Sequence, residues 1–175
     1  GDMLNRIRHA TSDVLPEDQI VDAFDAISWV NQQDWHTGHI VLLGQAMGGA
    51  AINYLAYGRT RDRILERSSI SPEAMDYVSG LVSYYPFCSV GRMPPASDVP
   101  YLSFIAGNDD LDQGMNGCNV VNDKKSGNLE IRVIANAPQG FDKEAYAGKN
   151  ARIGITKGSA RYQITYDAQA EKIAS

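Results

Sequence analysis

Apolar residues recur along this chain in short runs separated by amphipathic stretches, a pattern that predicts strands interleaved with helices. Beyond Pro16, the positions Ile20, Val21, Phe24, Ile27, Trp29 and Val30 keep a helical spacing, so a helix is expected over about 17–33, ended before Gly38. Ile40 to Leu43 is wholly apolar, as befits a strand buried on both faces of a parallel sheet. A second helix is expected from Met47 to Tyr57, followed by a charged surface connection, Arg59 to Arg67 with Ser71-Pro72-Glu73, that holds a short helix. Three more strands follow: Leu81 to Tyr85, stopped by Pro86; Tyr101 to Ala106, set between Pro100 and Gly107; and Leu129 to Ile134. Cys118 to Lys125 reads as helical, Tyr166 to Ala174 as the opening of a terminal helix, and Ala135 to Tyr162 as a long, weakly patterned loop.

Four strands alternating with helices imply right-handed crossovers and an α/β fold, a doubly wound and mostly parallel sheet. A length of 175 residues fits a single domain, 1–175. With 43% hydrophobic and 21% charged residues, the chain can bury a substantial core. A net charge of −5 argues against nucleic acid as a general partner, since no basic excess exists to neutralise phosphates. No apolar run approaches the ~20 residues of a membrane span, and no leader pattern opens the chain. Cys88 and Cys118 fit neither a redox C-x-x-C nor a zinc cluster, and no motif calls for a cofactor.

The candidate chemistry lies at His39-Ile40-Val41-Leu42-Leu43-Gly44-Gln45-Ala46-Met47-Gly48-Gly49-Ala50. An apolar strand runs into a glycine-flanked turn and then an alanine-rich helix, which is the layout of the G-x-S-x-G nucleophile elbow. Gly44 and Gly48 occupy the glycine positions, where a side chain is expected to collide as strand and helix pack. Ala46 stands where the nucleophile belongs, and a methyl group cannot attack a carbonyl. The backbone N–H of Met47 remains as one oxyanion-hole donor. In this order of elements an acid follows a later strand, and Gly107-Asn108-Asp109-Asp110 supplies carboxylates just past one. A histidine should come last, yet His9, His36 and His39 all precede the elbow.

Taken together, these segments resemble the dienelactone hydrolase family over nearly the whole chain. The matching pieces are Ile40 to Gly49, Tyr84-Tyr85-Pro86-Phe87-Cys88, Gly107-Asn108-Asp109-Asp110, Ala137-Pro138-Gln139-Gly140-Phe141-Asp142 and Thr165-Tyr166-Asp167-Ala168. The resemblance implies an α/β-hydrolase fold, with Asp110 at the acid position and Asp109 the lesser choice. It also implies that Gln139, immediately before Gly-Phe-Asp, stands where the family places its catalytic histidine. An amide donates and accepts hydrogen bonds but has no useful pKa near neutrality. Two of the three reacting positions are therefore altered, and a binding site without turnover is expected. Its ligand would be a small apolar ester-, lactone- or carboxylate-like molecule, with Tyr84, Tyr85, Phe87, Met93 and Phe141 as candidate lining.

The family fold begins with several strands ahead of the helix at 17–33, so this sheet is expected to lack its N-terminal strands and to leave an apolar edge open. The chain then reads as a piece of a longer one, or as one whose sheet a partner chain completes. Cys88 and Cys118 follow consecutive strands at the same edge of such a sheet, within reach of a disulfide; spacing alone leaves two buried thiols as the alternative. A disulfide tilts the expected location toward export. Two rival functions stand beside the binding scaffold: a genuine ester or lactone hydrolase inactivated by replacement of its nucleophile, and a structural subunit completed by a partner chain.

Overall fold

The computed structural model of this protein describes residues 15–68, 71–109, 118, 124–144, 151–154, 161–164 and 166–175. Helix α1 (Pro16–Asn31) starts with proline at its first position, and the Asp18 carboxylate reaches back to the Leu15 N–H at 2.9 Å. Ile20, Phe24 and Ile27, spaced four and three residues apart, bring one face of α1 into the core. Strand β1 (Ile40–Gln45) runs into α2 (Met47–Ala56), and α3 (Gly58–Ser68) follows after a single residue. A 3-10 turn (Pro72–Tyr77), capped by the Ser71 hydroxyl, leads into β2 (Val78–Tyr84). The remaining elements are β3 (Tyr101–Ala106), β4 (Lys124–Ser126), β5 (Leu129–Ile134), β6 (Ala151–Gly154), β7 (Arg161–Ile164) and α4 (Ala168–Ala174).

The result is an α/β structure built on a mixed five-stranded sheet in the order β1-β2-β3-β5-β4. The four strands expected from sequence, β1, β2, β3 and β5, all run parallel; β4 joins antiparallel at the edge. Strand alternation sorts side chains between two cores. Leu81, Tyr101, Ile105, Leu129 and Ile131 face α1, α2 and α3, while Phe104, Ala106 and Ile134 pack with Tyr85, Phe141 and the Ala170 and Ala174 faces of α4. Asp167 caps α4 by accepting from the Gln169 and Ala170 N–H groups.

Several expected boundaries are corrected. Strand β2 starts at Val78 rather than Leu81, because pairing with β1 (Ile40 to Val78, Val41 to Gly80) recruits a glycine-containing stretch that is a poor strand former in isolation. The charged stretch after Tyr57 forms a full helix of 11 residues, its Ile64 and Leu65 buried. Lys124 and Lys125 lie on a strand, not a helix: Gly127 at φ 57 and Asn128 make a two-residue turn that pairs Ser126 with Leu129. The stretch expected as a loop from Ala135 to Tyr162 contains β6 and the start of β7, paired antiparallel.

A polar chain runs through the first core. Ser83 and Ser103 are register partners whose hydroxyls lie 2.8 Å apart; Ser83 is also 2.7 Å from the Tyr101 hydroxyl, which donates to Asn53. Asn53 in turn donates to the Gly91 carbonyl at 2.6 Å, fastening α2 to the loop after β2. Burial pushes the Tyr101 hydroxyl up to about 12, against the lowering effect of its bonds to Ser83 and Ser103. An unfolded tyrosine ionises near pH 10, so the stabilising contribution of neutral Tyr101 is complete below pH 10 and is lost as pH rises to 12. The full loss amounts to about 3 kcal/mol. Tyrosinate absorbance during an alkaline titration should show one of the nine tyrosines ionising only as the fold melts, and Tyr101→Phe should remove that late step.

Candidate functional site

Ala46 joins β1 to α2 at φ 50, ψ −111, a conformation that costs a non-glycine residue on the order of 1–3 kcal/mol. Three backbone bonds hold it there. Its N–H donates to Tyr84 O at 3.1 Å, and its carbonyl accepts from Phe87 N–H at 3.1 Å and Ala50 N–H at 3.0 Å. Gly44 is sterically required, because a Cβ there would lie 2.3 Å from the Gly48 carbonyl oxygen. Gly48 is not, which corrects the sequence expectation: a Cβ on it meets nothing within 4 Å. The close approach falls one residue later, at Gly49, where a Cβ would sit 2.8 Å from Pro86 Cα. Met47 is the first residue of α2, so its N–H belongs to the first turn, whose N–H groups have no intrahelical acceptor.

The segment that carries Gln139 reaches this turn from a distant part of the chain. Asp142, three residues on, accepts from Gln45 Nε2 at 2.5 Å and from the Tyr85 hydroxyl at 2.7 Å. The residue just before Ala46 thus anchors the segment that carries Gln139, and Ala46 packs on the cluster containing Ala137 and Phe141. Gln139 is only 3% exposed, and its Oε1 has no hydrogen-bond partner among the described residues. Such a buried, unpaired amide oxygen costs about 1–3 kcal/mol. The loop after β3 reaches the same segment, for Asn108 N–H donates to Ala137 O at 2.9 Å. Asp109 on that loop is buried; Asp110, the expected acid position, lies outside the described residues.

Sequence reasoning gave no role to Gln45 or Asp142, and named Tyr85 only as candidate lining. Tyr85 sits at φ 38 and, with Ala46, makes up the non-glycine residues of positive φ among those described. The Gly-Phe-Asp tripeptide was the available signal for Asp142: Gly140 turns the chain at φ 75, and Phe141 is fully buried beside Tyr85. Burial, and after it the charge of Asp142, raises the Tyr84 hydroxyl above its ordinary pKa. Of the candidate lining, Tyr85, Phe87 and Phe141 are core, Tyr84 is half-buried and stacks on Phe104, and Met93 lies elsewhere, beside α2.

No described histidine is near Ala46. His39 stands at the opposite end of β1, roughly 20 Å away along an extended strand, and bonds Ser79 through Nδ1. His9 lies outside the described residues. Among the described residues, no group of three or more His, Cys, Asp or Glu is placed to hold a metal ion, and no helix is long and apolar enough to cross a membrane. No protein-family model matches the chain, and no curated protein is a significant match to it.

Proposed function

We propose that this chain is a dienelactone hydrolase-like domain of the α/β-hydrolase fold that binds a small apolar ester-, lactone- or carboxylate-like ligand without turning it over. Ala46 carries this reading. A strained turn of this kind persists only where its surroundings enforce it, and such turns cluster at functional sites. Here it presents a methyl group at the nucleophile position, leaving no atom to attack a carbonyl. The N–H groups of the first turn of α2, Met47 foremost, offer donors to a carbonyl or carboxylate oxygen. Gln139 supplies a buried amide with an unpaired atom in place of a base, and a ligand group can pair with it. The two ends of that amide exchange by a half-turn, so it can present a donor or an acceptor.

With para-nitrophenyl butyrate, the protein is expected to show neither burst release nor an acyl adduct by mass spectrometry. In ligand-observed NMR, γ-butyrolactone or butyrate should bind saturably, about tenfold more weakly in Gln139→Leu. A burst with covalent adduct would refute the absence of catalysis, and absence of saturable binding would refute the ligand site.

The outer edge of the sheet favours a second reading, a structural subunit. Among the described residues β1 forms one edge of the sheet, Val41 and Leu43 are 62% and 61% exposed, and no charge or proline interrupts Ile40 to Gln45. Such an edge is a template for another strand. In this reading the purified chain pairs with itself. Light scattering should then give a mass above 19.1 kDa that returns to the monomer in Leu43→Lys; a monomeric parent protein would end this reading.

A further inference from the structure

At the end of α2 remote from Ala46, the side chains of Asn53, Tyr54 and Tyr57 help to enclose a cavity of about 370 Å³ against the loop that follows Val90. These residues lie seven to eleven positions beyond Ala46, roughly 10–16 Å along the helix, so the cavity is separate from the elbow. Its far wall is preformed. The Tyr54 hydroxyl donates to Val90 O at 2.8 Å, and Asn53 holds Gly91 O. A Cβ on Gly91 would come within 2.5 Å of Ala50 O, so loop and helix are in close contact, and the disulfide at Cys88 ties down the same loop.

The lining combines two phenol rings, Val90, Met93, Pro94 and Pro95 with one cation, Arg92. Arg92 is exposed and forms no salt bridge among the described residues. Burial, and then the charge of Glu17, raise the Tyr54 hydroxyl, and Arg92 acts against both, which places that cation within electrostatic reach of the ring. Thr60 and Tyr57 also border an adjoining open cleft of about 570 Å³, in which Asp62 and Glu66 offset Arg59 and Arg63. On the cavity side Arg92 is the one charged residue of the lining, with Glu17 outside the lining but within electrostatic reach of Tyr54. A mostly apolar hollow at the small end of the ligand-pocket range, with one guanidinium that has no salt-bridge partner among the described residues, suits a single-ring ligand bearing one anionic group. A planar carboxylate matches the fork of the guanidinium.

We propose that this cavity is a second ligand site, taking a small aromatic monocarboxylate whose carboxylate pairs with Arg92 and whose ring lies between Tyr54, Tyr57 and Met93. The site owes nothing to Ala46 or Gln139. Phenylacetate is the probe, titrated into the full-length, disulfide-intact protein and followed by ligand-observed NMR and calorimetry. Saturable binding is expected, weakened at least tenfold in Arg92→Gln, to an intermediate degree in Arg92→Lys, and not at all in Gln139→Leu. Phenylacetamide, the neutral analogue, should bind at least tenfold more weakly. Since Arg92 is exposed and forms no salt bridge among the described residues, unchanged thermal melts of its variants are expected and are checked alongside. The proposal is overturned if phenylacetate does not saturate, if the amide binds equally well, or if Arg92→Gln has no effect. Loss of binding in Gln139→Leu overturns it as well, by moving the ligand to the elbow; the elbow reading itself stands or falls on γ-butyrolactone and butyrate.

Discussion

Ala46→Ser alone is expected to leave the protein without measurable esterase activity, and Ala46→Ser combined with Gln139→His to exceed that single variant by at least about 100-fold. Serine fits the turn because it adds one oxygen to a Cβ that the backbone at φ 50 already accommodates. A hydroxyl is a weak nucleophile until a base takes its proton, and a positioned base is worth about 10²–10⁴ in rate. Gln139 cannot be that base, whereas an imidazole at the same buried position, on a segment anchored to Gln45 and Tyr85 through Asp142, can. The comparison is made by steady-state hydrolysis of para-nitrophenyl butyrate, with active-site titration to count acylated molecules. Equal rates in the single and double variants would show that position 139 does not face the nucleophile. That result would remove the reading of Gln139 as a replaced histidine.

Loss of the disulfide is expected to be the largest single change in stability. Cys88 and Cys118 are bonded with their Cα atoms 4.9 Å apart, and both are buried. The bond closes a loop of 30 residues, and chain entropy assigns such a loop about 3–4 kcal/mol. In a domain of this length the melting temperature should fall by roughly 10 °C in Cys88→Ala/Cys118→Ala or after reduction. The consequence reaches the elbow as well. Cys88 lies two residues beyond Pro86, which packs on Gly49, and one beyond Phe87, whose N–H holds the Ala46 carbonyl. Unfolded, unreduced protein should titrate with no free thiol. Two reactive thiols, or a melting temperature indifferent to reductant, would refute the crosslink.

The elements that sequence reasoning found are those whose signals are local. Strand β3 runs from Tyr101 to Ala106 as expected, because Pro100 cannot continue a ladder and Gly107 can approach the Ala135 carbonyl, where a Cβ would come within 2.4 Å. Strand β5 matches for a similar reason, its alternation of Leu129, Ile131 and outward Glu130 and Arg132 being a two-residue period. The hairpin from β4 into β5 was missed, because the two lysines before Gly127-Asn128 masked the strand. At the site, Gly44 and Ala46 could be placed from sequence, because an elbow is built by six or seven consecutive residues.

What sequence alone determined is the set of four strands β1, β2, β3 and β5, the helices α1 and α2 on either side of β1, and the turn at Ala46. Each follows from the period of apolar residues or from steric demands on neighbours in the chain. Tertiary structure alone decided that Val78 to Gly80 would be strand, that Gly49 rather than Gly48 bears the close contact, and that Asp142 would be held by Gln45 across 97 residues. Among the described residues it also left the buried Gln139 amide oxygen without a hydrogen-bond partner and Arg92, beside a cavity, without a salt bridge. These are contacts between segments remote in sequence, and no local pattern encodes which distant partner a side chain will meet, or that it will meet none.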